Sequence, residues 1–320
     1  MPDQPAIVLP VILGPTGSGK SDLALTLARA IGAEIVNYDS LQLYRGFDVG
    51  TAKASPAERQ VVPHHLIDIL DPRELCTAGD YARRAEGTIR EIASRGRVPL
   101  LVGGTGFYLR GLLQGLSPGP ARDEAVRARL LSREQKRPGS LHLILGRLDP
   151  AAAARIHRND KNKTLRALEV RLLEGAPLSS VFQRGRAPLA GCAPVKIGLD
   201  PPRELLYARL NARARRMFSP GDAEGSLSQE VRGLLARGVP RDAKPFESLG
   251  YKQVLGMLAG SMTEEQALAS TQLETRRYAK RQMTWFRREA GVEWIAGFGD
   301  EAGVRERALE IVQQARTREQ

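Results

Sequence analysis

Eight residues restrict this chain more than any others: Gly14-Pro15-Thr16-Gly17-Ser18-Gly19-Lys20-Ser21. They satisfy the pattern G-x-x-x-x-G-K-[ST] and stand between an apolar run, residues 6–13, and a helical pattern from Lys20 to Ile31. In that setting the glycines let successive N–H groups point at phosphate oxygens, and the helix N-terminus adds partial positive charge. Lys20 supplies a full charge, and the Ser21 hydroxyl suits Mg²⁺. Gly14, Pro15, Thr16, Gly17, Ser18, Gly19, Lys20 and Ser21 are therefore candidate phosphate-binding residues. Ser21 is the candidate metal ligand and Mg²⁺ the candidate cofactor. The competing reading is a Gly-rich turn that matches by chance, and the strand–helix setting argues against it.

The turn leaves the substrate open, because nucleotide kinases, NTPases and diphosphate-using transferases all share it. In an ordinary NTPase an apolar strand ends in the Asp that completes a magnesium site. Here the candidate strand Val98–Val102 runs instead into Gly103-Gly104-Thr105. Further apolar runs at Glu34–Tyr38, Leu66–Leu70 and Val98–Gly103 alternate with a helical stretch, Gly79–Ser94, which predicts a parallel sheet. From about Ser117 the pattern turns Pro/Gly-rich, then charged and helical to about Ser180, before the loop Arg184–Ala193. Val195–Leu199 reads as a strand returning to the sheet. The expected fold is α/β: a P-loop NTPase-like parallel sheet flanked by helices, with an all-helical insertion. Residues 1–117 and 194–320 form the expected core with its C-terminal helices, and 118–193 the insertion.

The formal net charge is +12, unevenly spread: residues 1–100 sum to −1 and residues 101–320 to +13. The second part favours a polyanionic partner. A general preference for arginine, 39 of 48 basic residues, is the competing explanation. The longest apolar run, Ala6–Gly14, is too short to span a bilayer, and the N-terminus carries no basic leader. Two cysteines exclude a disulfide framework and a four-ligand zinc site. A cytoplasmic enzyme is expected.

More motifs narrow the reading. They are Tyr38-Asp39-Ser40-Leu41-Gln42-Leu43-Tyr44, Asp48-Val49-Gly50-Thr51-Ala52-Lys53, Pro63-His64-His65-Leu66-Ile67-Asp68 and Gly103-Gly104-Thr105-Gly106-Phe107-Tyr108. Arg166-Ala167-Leu168-Glu169-Val170, Gly250-Tyr251-Lys252-Gln253 and Lys280-Arg281-Gln282-Met283-Thr284-Trp285 follow. Together with the P-loop, in this order and spacing, the chain resembles the tRNA dimethylallyltransferases, also called isopentenyl-tRNA transferases. The resemblance runs from about residue 12 to 290. With two cysteines the chain cannot build the zinc finger common in eukaryotic members, so it resembles the bacterial type.

The resemblance implies that the P-loop, Gly14–Ser21, grips the diphosphate of dimethylallyl diphosphate rather than ATP, and that the dimethylallyl group passes to the exocyclic N6 amine of the adenine 3′-adjacent to the anticodon. An adenylate isopentenyltransferase and a P-loop small-molecule kinase are the alternatives. The adenine amine is a poor nucleophile until a base removes its proton, and the resemblance places the family's catalytic Asp at Asp39. A positioned base contributes ~10²–10⁴-fold. Thr105 matches a Thr that contacts the reacting groups, although a helix N-cap would also suit it. Arg203 and Arg209 match a segment with further diphosphate contacts; Arg209 is the preferred candidate and surface helix charge its alternative.

For tRNA, the resemblance implicates Asp39, Ser40, Leu41, Gln42, Thr105, Arg127, Asn162, Lys163 and Arg166. Gly250, Tyr251, Lys252, Arg277, Lys280 and Arg281 complete the set. Arg277, Lys280, Arg281, Thr284 and Arg288 fall at helical spacing, a face able to follow a phosphate backbone, although a solvated face is the usual meaning of such a stripe. The implied partners are the tRNA anticodon stem-loop and dimethylallyl diphosphate, with no membrane and a monomeric enzyme. Two departures stand out. Asn162-Lys163-Thr164 replaces the usual Gln-Arg-aliphatic sequence, and Ser219–Ser228 is longer than the usual link.

Overall fold

The computed structural model describes residues 6–116, 119–181, 187–219 and 225–318. Its centre is β1 (Ile7–Leu13), whose Leu9, Val11, Ile12 and Leu13 are fully buried. A strand covered on both faces reads as a continuous apolar run, which is why this segment was legible. α1 (Lys20–Ile31), β2 (Ala33–Asn37), α2 (Pro56–Val61), β3 (His64–His65), α3 (Ala78–Ser94), β4 (Val98–Val102) and α4 (Gly106–Leu113) follow. A helical stretch comes next: α5 (Glu124–Lys136), α6 (Ser140–Leu148), α7 (Pro150–Arg155), α8 (Lys161–Glu174) and α9 (Leu178–Val181). The chain then returns through β5 (Cys192–Asp200), α10 (Arg203–Phe218), α11 (Leu227–Ala236), α12 (Tyr251–Leu258), α13 (Glu264–Phe286), β6 (Val292–Ala296) and α14 (Ala302–Arg318).

The six strands form one sheet in the order β3-β2-β4-β1-β5-β6, every pair parallel. The parallel α/β sheet expected from the sequence is thus the fold. Leu23, Leu27 and Ile31 of α1 and Val304, Ile311 and Val312 of α14 pack with the strands into the main core. Several helices start on reciprocal caps, such as Thr77 with Asp80 at α3 and Thr263 with Gln266 at α13. No described helix is long and apolar enough to cross a membrane.

The chain divides into two compact units, Met1–Leu113 with Leu189–Gln320, and Gln114–Pro188. The expected insertion, 118–193, therefore ends too late. Cys192 and Ala193 already pair with Ile7 and Val8. β6 pairs with β5 only from Lys196 onward, so Pro194 has a neighbouring strand on one side alone, where a proline is tolerated. The expected boundary at 117/118 lies outside the described residues. Where the core chain leaves and returns, Leu189 N–H donates to the Leu113 carbonyl at 3.4 Å.

Leu66–Leu70 is not a strand. Only His64 and His65 join the sheet, and Leu66 and Asp68 adopt positive φ. Asp68 accepts from Lys53 and Arg59, both at 2.6 Å, and the buried Lys53 also pairs with Asp48 at 2.6 Å. Ion pairing bends this segment, not strand propensity.

Within the helical unit, Val126, Leu130, Leu141, Leu145, Leu165, Leu168 and Val181 form the core. Glu169 is fully buried there. It accepts from Asp123 N–H at 2.8 Å and pairs with Arg166 at 2.8 Å and Arg127 at 3.2 Å. Burial pushes its carboxyl up, but the Arg166 and Asp123 hydrogen bonds and the Arg127 charge outweigh that and hold it below the usual range.

Candidate active site

Parallel strands deliver their carboxyl ends to one edge of the sheet, and ligands bind there in α/β folds. The adjacent strands β2, β4 and β1 end in the Asp39 loop, the Gly103–Thr105 loop and the P-loop respectively. The three motifs are distant in sequence and neighbours in space.

In the P-loop, Gly19 has φ 83°, and a Cβ there would lie 2.8 Å from the Gly299 nitrogen. Only glycine fits, because the loop 297–301 packs against the cradle and Gly299 N–H donates to the Ser18 carbonyl at 2.9 Å. Lys20 Nζ donates to the Pro15 carbonyl at 2.7 Å. Burial lowers the Lys20 pKa to about 8; the Asp39 charge opposes that and Arg213 adds to it.

Asp39 is oriented by its own loop. Oδ1 accepts from Leu41 N–H at 2.9 Å, and the Asp39 N–H donates to Asn37 Oδ1 at 2.9 Å. Asn37 Nδ2 in turn donates to the Leu66 carbonyl at 2.9 Å, so the bent segment after β3 supports the site. Oδ2 carries no hydrogen bond among the described residues. Thr105 Oγ1 accepts from Ser40 N–H at 3.0 Å and donates to Ser40 Oγ at 3.1 Å, tying the loop after β4 to that after β2. The Thr105 carbonyl accepts from Tyr108 and Leu109 at the start of α4, so the residue belongs to both helix start and site.

A cavity of about 560 Å³ opens among these groups, lined by Thr16, Asp39, Ser40, Leu41, Thr105, Arg213, Lys252 and Arg281. Tyr44, Tyr108, Leu210, Met217 and Leu249 supply its apolar wall.

Several expected residues sit elsewhere. Arg209 does not line this cavity: its guanidinium takes both Asp300 oxygens, at 2.9 and 2.7 Å, and lies over the Phe298 ring. Four residues on, Arg213 reaches the cavity, 3.4 Å from Thr16 Oγ1, with a pKa lowered by burial and partly restored by Asp39. Sequence reading missed it, although an i,i+4 spacing from Arg209 was visible. Tyr251 is fully buried against Gly50 and donates to Glu230, so it cannot contact a tRNA surface; Lys252 beside it remains exposed. Gln42 turns its amide to the Thr51 carbonyl at 3.2 Å.

Arg127 and Arg166 both serve Glu169, Lys163 pairs with Asp160 at 2.7 Å, and Asn162 is exposed. Of the basic stripe, Arg277 pairs with Glu274, and Lys280 and Arg281 are exposed, Arg281 beside the Tyr278 ring. Arg288 lies past the end of α13, which stops at Phe286. Ser219 ends α10 and Ser226–Ser228 begin α11; residues 220–224 between them lie outside the described residues.

The profile of the IPP transferase family matches residues 42–289, and that of isopentenyl transferase matches 7–71. A tRNA dimethylallyltransferase of Solibacter usitatus is 55% identical over 304 residues, covering 95% of this chain and 97% of that protein. The chain belongs to the tRNA dimethylallyltransferase family. A family member from Koribacter versatilis is 52% identical, covering 94% of this chain and 97% of its own. Among solved structures, the tRNA isopentenylpyrophosphate transferase of Bacillus halodurans is 36% identical with a TM-score of 0.69, covering 98% of this chain and 97% of that one. A eukaryotic dimethylallyltransferase acting on tRNA is 25% identical with a TM-score of 0.82, covering 98% and 80% respectively. These relatives support the tRNA-acting member of the three readings, not the adenylate isopentenyltransferase or the kinase.

Proposed function

We propose that this chain transfers the dimethylallyl group of dimethylallyl diphosphate to N6 of the adenine 3′-adjacent to the anticodon. The observation that carries the chemistry is the meeting of Asp39 and Arg213 at one cavity, with Lys20 of the adjoining P-loop close enough to feel both charges, an acid beside two cations that outnumber it. The surplus positive charge suits a diphosphate. As the allylic carbon–oxygen bond breaks, the diphosphate leaves with the bonding electrons, and Lys20, Arg213 and the loop amides stabilise its growing charge. The adenine nitrogen forms the new carbon bond and releases its proton to Asp39 Oδ2, the carboxylate oxygen that no hydrogen bond from the described residues occupies. Thr105, held by Ser40, orients the two partners.

The Ser21 hydroxyl is exposed at the start of α1 without a hydrogen bond among the described residues, a hard oxygen donor suited to Mg²⁺. When bound there, Mg²⁺ would neutralise diphosphate charge. Leu41, Lys252 and Arg281 are placed to meet the nucleotide, and Lys280 to meet the backbone of the anticodon stem-loop. An adenine in that loop must be unstacked to enter. The proposed enzyme works as a monomer in the cytoplasm, in keeping with the lack of a described helix long and apolar enough to cross a membrane.

Incubation with unmodified tRNA and labelled dimethylallyl diphosphate tests this reading. Label is expected in the anticodon loop without ATP; strict dependence on ATP, or label on free adenine nucleotides alone, would overturn it.

A further inference from the structure

One side chain joins the two halves of the site, and neither half's motif contains it. Gln282 of α13 is buried, 5% exposed. Its Oε1 accepts from the Thr16 N–H of the P-loop at 2.8 Å, and its Nε2 donates to the Gly104 carbonyl at 2.9 Å. Among the described residues no other side chain hydrogen-bonds both loops. The amide orientation is forced by the partners, since a backbone N–H only donates and a carbonyl only accepts. Gly104 is squeezed as a result: a Cβ there would lie 2.6 Å from Gln282 Nε2 and 3.4 Å from Asp39 Oδ2.

We propose that Gln282 is a positioning residue that keeps the diphosphate cradle in register with the acceptor loop. This rests on the function proposed above. The link runs from Thr16 through Gln282 to Gly104, then from Thr105 Oγ1 to Ser40, the neighbour of Asp39. In-line transfer demands that the amine nitrogen approach the allylic carbon to about 3–3.5 Å, and a misplacement of about 1 Å costs on the order of 10²-fold. The carbon travels with the cradle, and the nitrogen is aimed by the loop. A single planar amide that accepts on one side and donates on the other fixes their separation without adding charge beside Asp39. Glutamate would lose the donor, and leucine would lose both bonds.

Two variants test the assignment, each with the affinity for donor and for tRNA measured separately and the single-turnover rate at saturation of both. Gln282→Leu is expected to bind each substrate within about threefold of the parent while transferring roughly 10–100-fold more slowly. Gln282→Glu is expected to show a rate, divided by the parent's at the same pH, that rises as pH falls. The protonated carboxyl regains a donor for the Gly104 carbonyl, and a role in stability alone would not produce that trend. Should the leucine variant fail to fold, the glutamate profile decides. A leucine variant as fast as the parent, a defect confined to donor affinity, or a flat glutamate ratio each overturns the positioning role. If the parent itself fails to transfer, the proposed function falls first; if it transfers beside an unimpaired variant, only this inference falls.

Discussion

The active site and the helical unit both enclose charge, but they close it off differently. In the helical unit both oxygens of Glu169 face an arginine, one of them an amide as well, Asp149 accepts from Ala152 and Ser179, and Glu134 accepts from Gly139 and Leu141. In the core site, among the described residues, Asp39 has one oxygen tied to Leu41 and one unused, while Lys20 and Arg213 sit close with no full carboxylate pair. A buried charge with a complete partner set is scaffolding; an incomplete set awaits a ligand. The two arginines expected to touch tRNA from the helical unit, Arg127 and Arg166, belong to the first kind.

The largest expected effect strikes the incomplete set. Asp39→Asn keeps size but not basicity, so single-turnover transfer at saturating tRNA should slow by roughly 10²-fold or more, with both substrates still binding. A near-normal rate would remove Asp39 from the chemistry and erase the contrast. Glu169→Ala, in the complete set, should instead cost about 3 kcal/mol in chemical denaturation, because two arginines lose their counter-charge. Stability within 1 kcal/mol of the parent would mean that Glu169 is not the keystone of its unit.

A smaller effect concerns Lys20. With its pKa lowered to about 8, the ammonium is charged below that pH and neutral above it. Donor affinity should therefore be pH-independent near 7 and weaken about tenfold per unit above 8, as one proton is needed for binding. An affinity constant to pH 9.5 would refute the low value. The smallest effect is a gain. Thr164 is buried, its hydroxyl has no partner among the described residues, and it stands where relatives of this type were expected to carry an aliphatic residue. Thr164→Val should raise stability by about 1 kcal/mol, read from the denaturation midpoint.

What was legible in the sequence was local. The P-loop, Asp39-Ser40 and Gly103–Thr105 are contiguous runs whose conformations follow from glycine, strand and helix start, and the parallel sheet then brings them together. What was not legible depended on tertiary partners. Arg209 and Arg213 lie on one helix, and only the packing of Asp300 beside the P-loop decides which of them is occupied. Leu66–Leu70 is apolar enough for a strand, yet Lys53 and Arg59 pull Asp68 into a bend. Tyr251 sits in a motif that suggests contact with RNA, but its ring is buried in the aromatic cluster of Phe47 and Phe246. Gln282 was visible only as a letter in a motif, because its two partners lie 266 and 178 residues away.

The hydrogen bond between Leu189 and Leu113 carries a consequence for how such a chain can change. The core leaves for the helical unit and returns from it at one spot, with its own sheet and its own packed interior. The helical unit is thus a cassette on a two-point socket: excising it leaves ends that already touch, and a tight turn would rejoin them. Cassettes of different length or charge can be exchanged at that socket without altering a strand, a site loop or the spacing between Asp39 and Lys20.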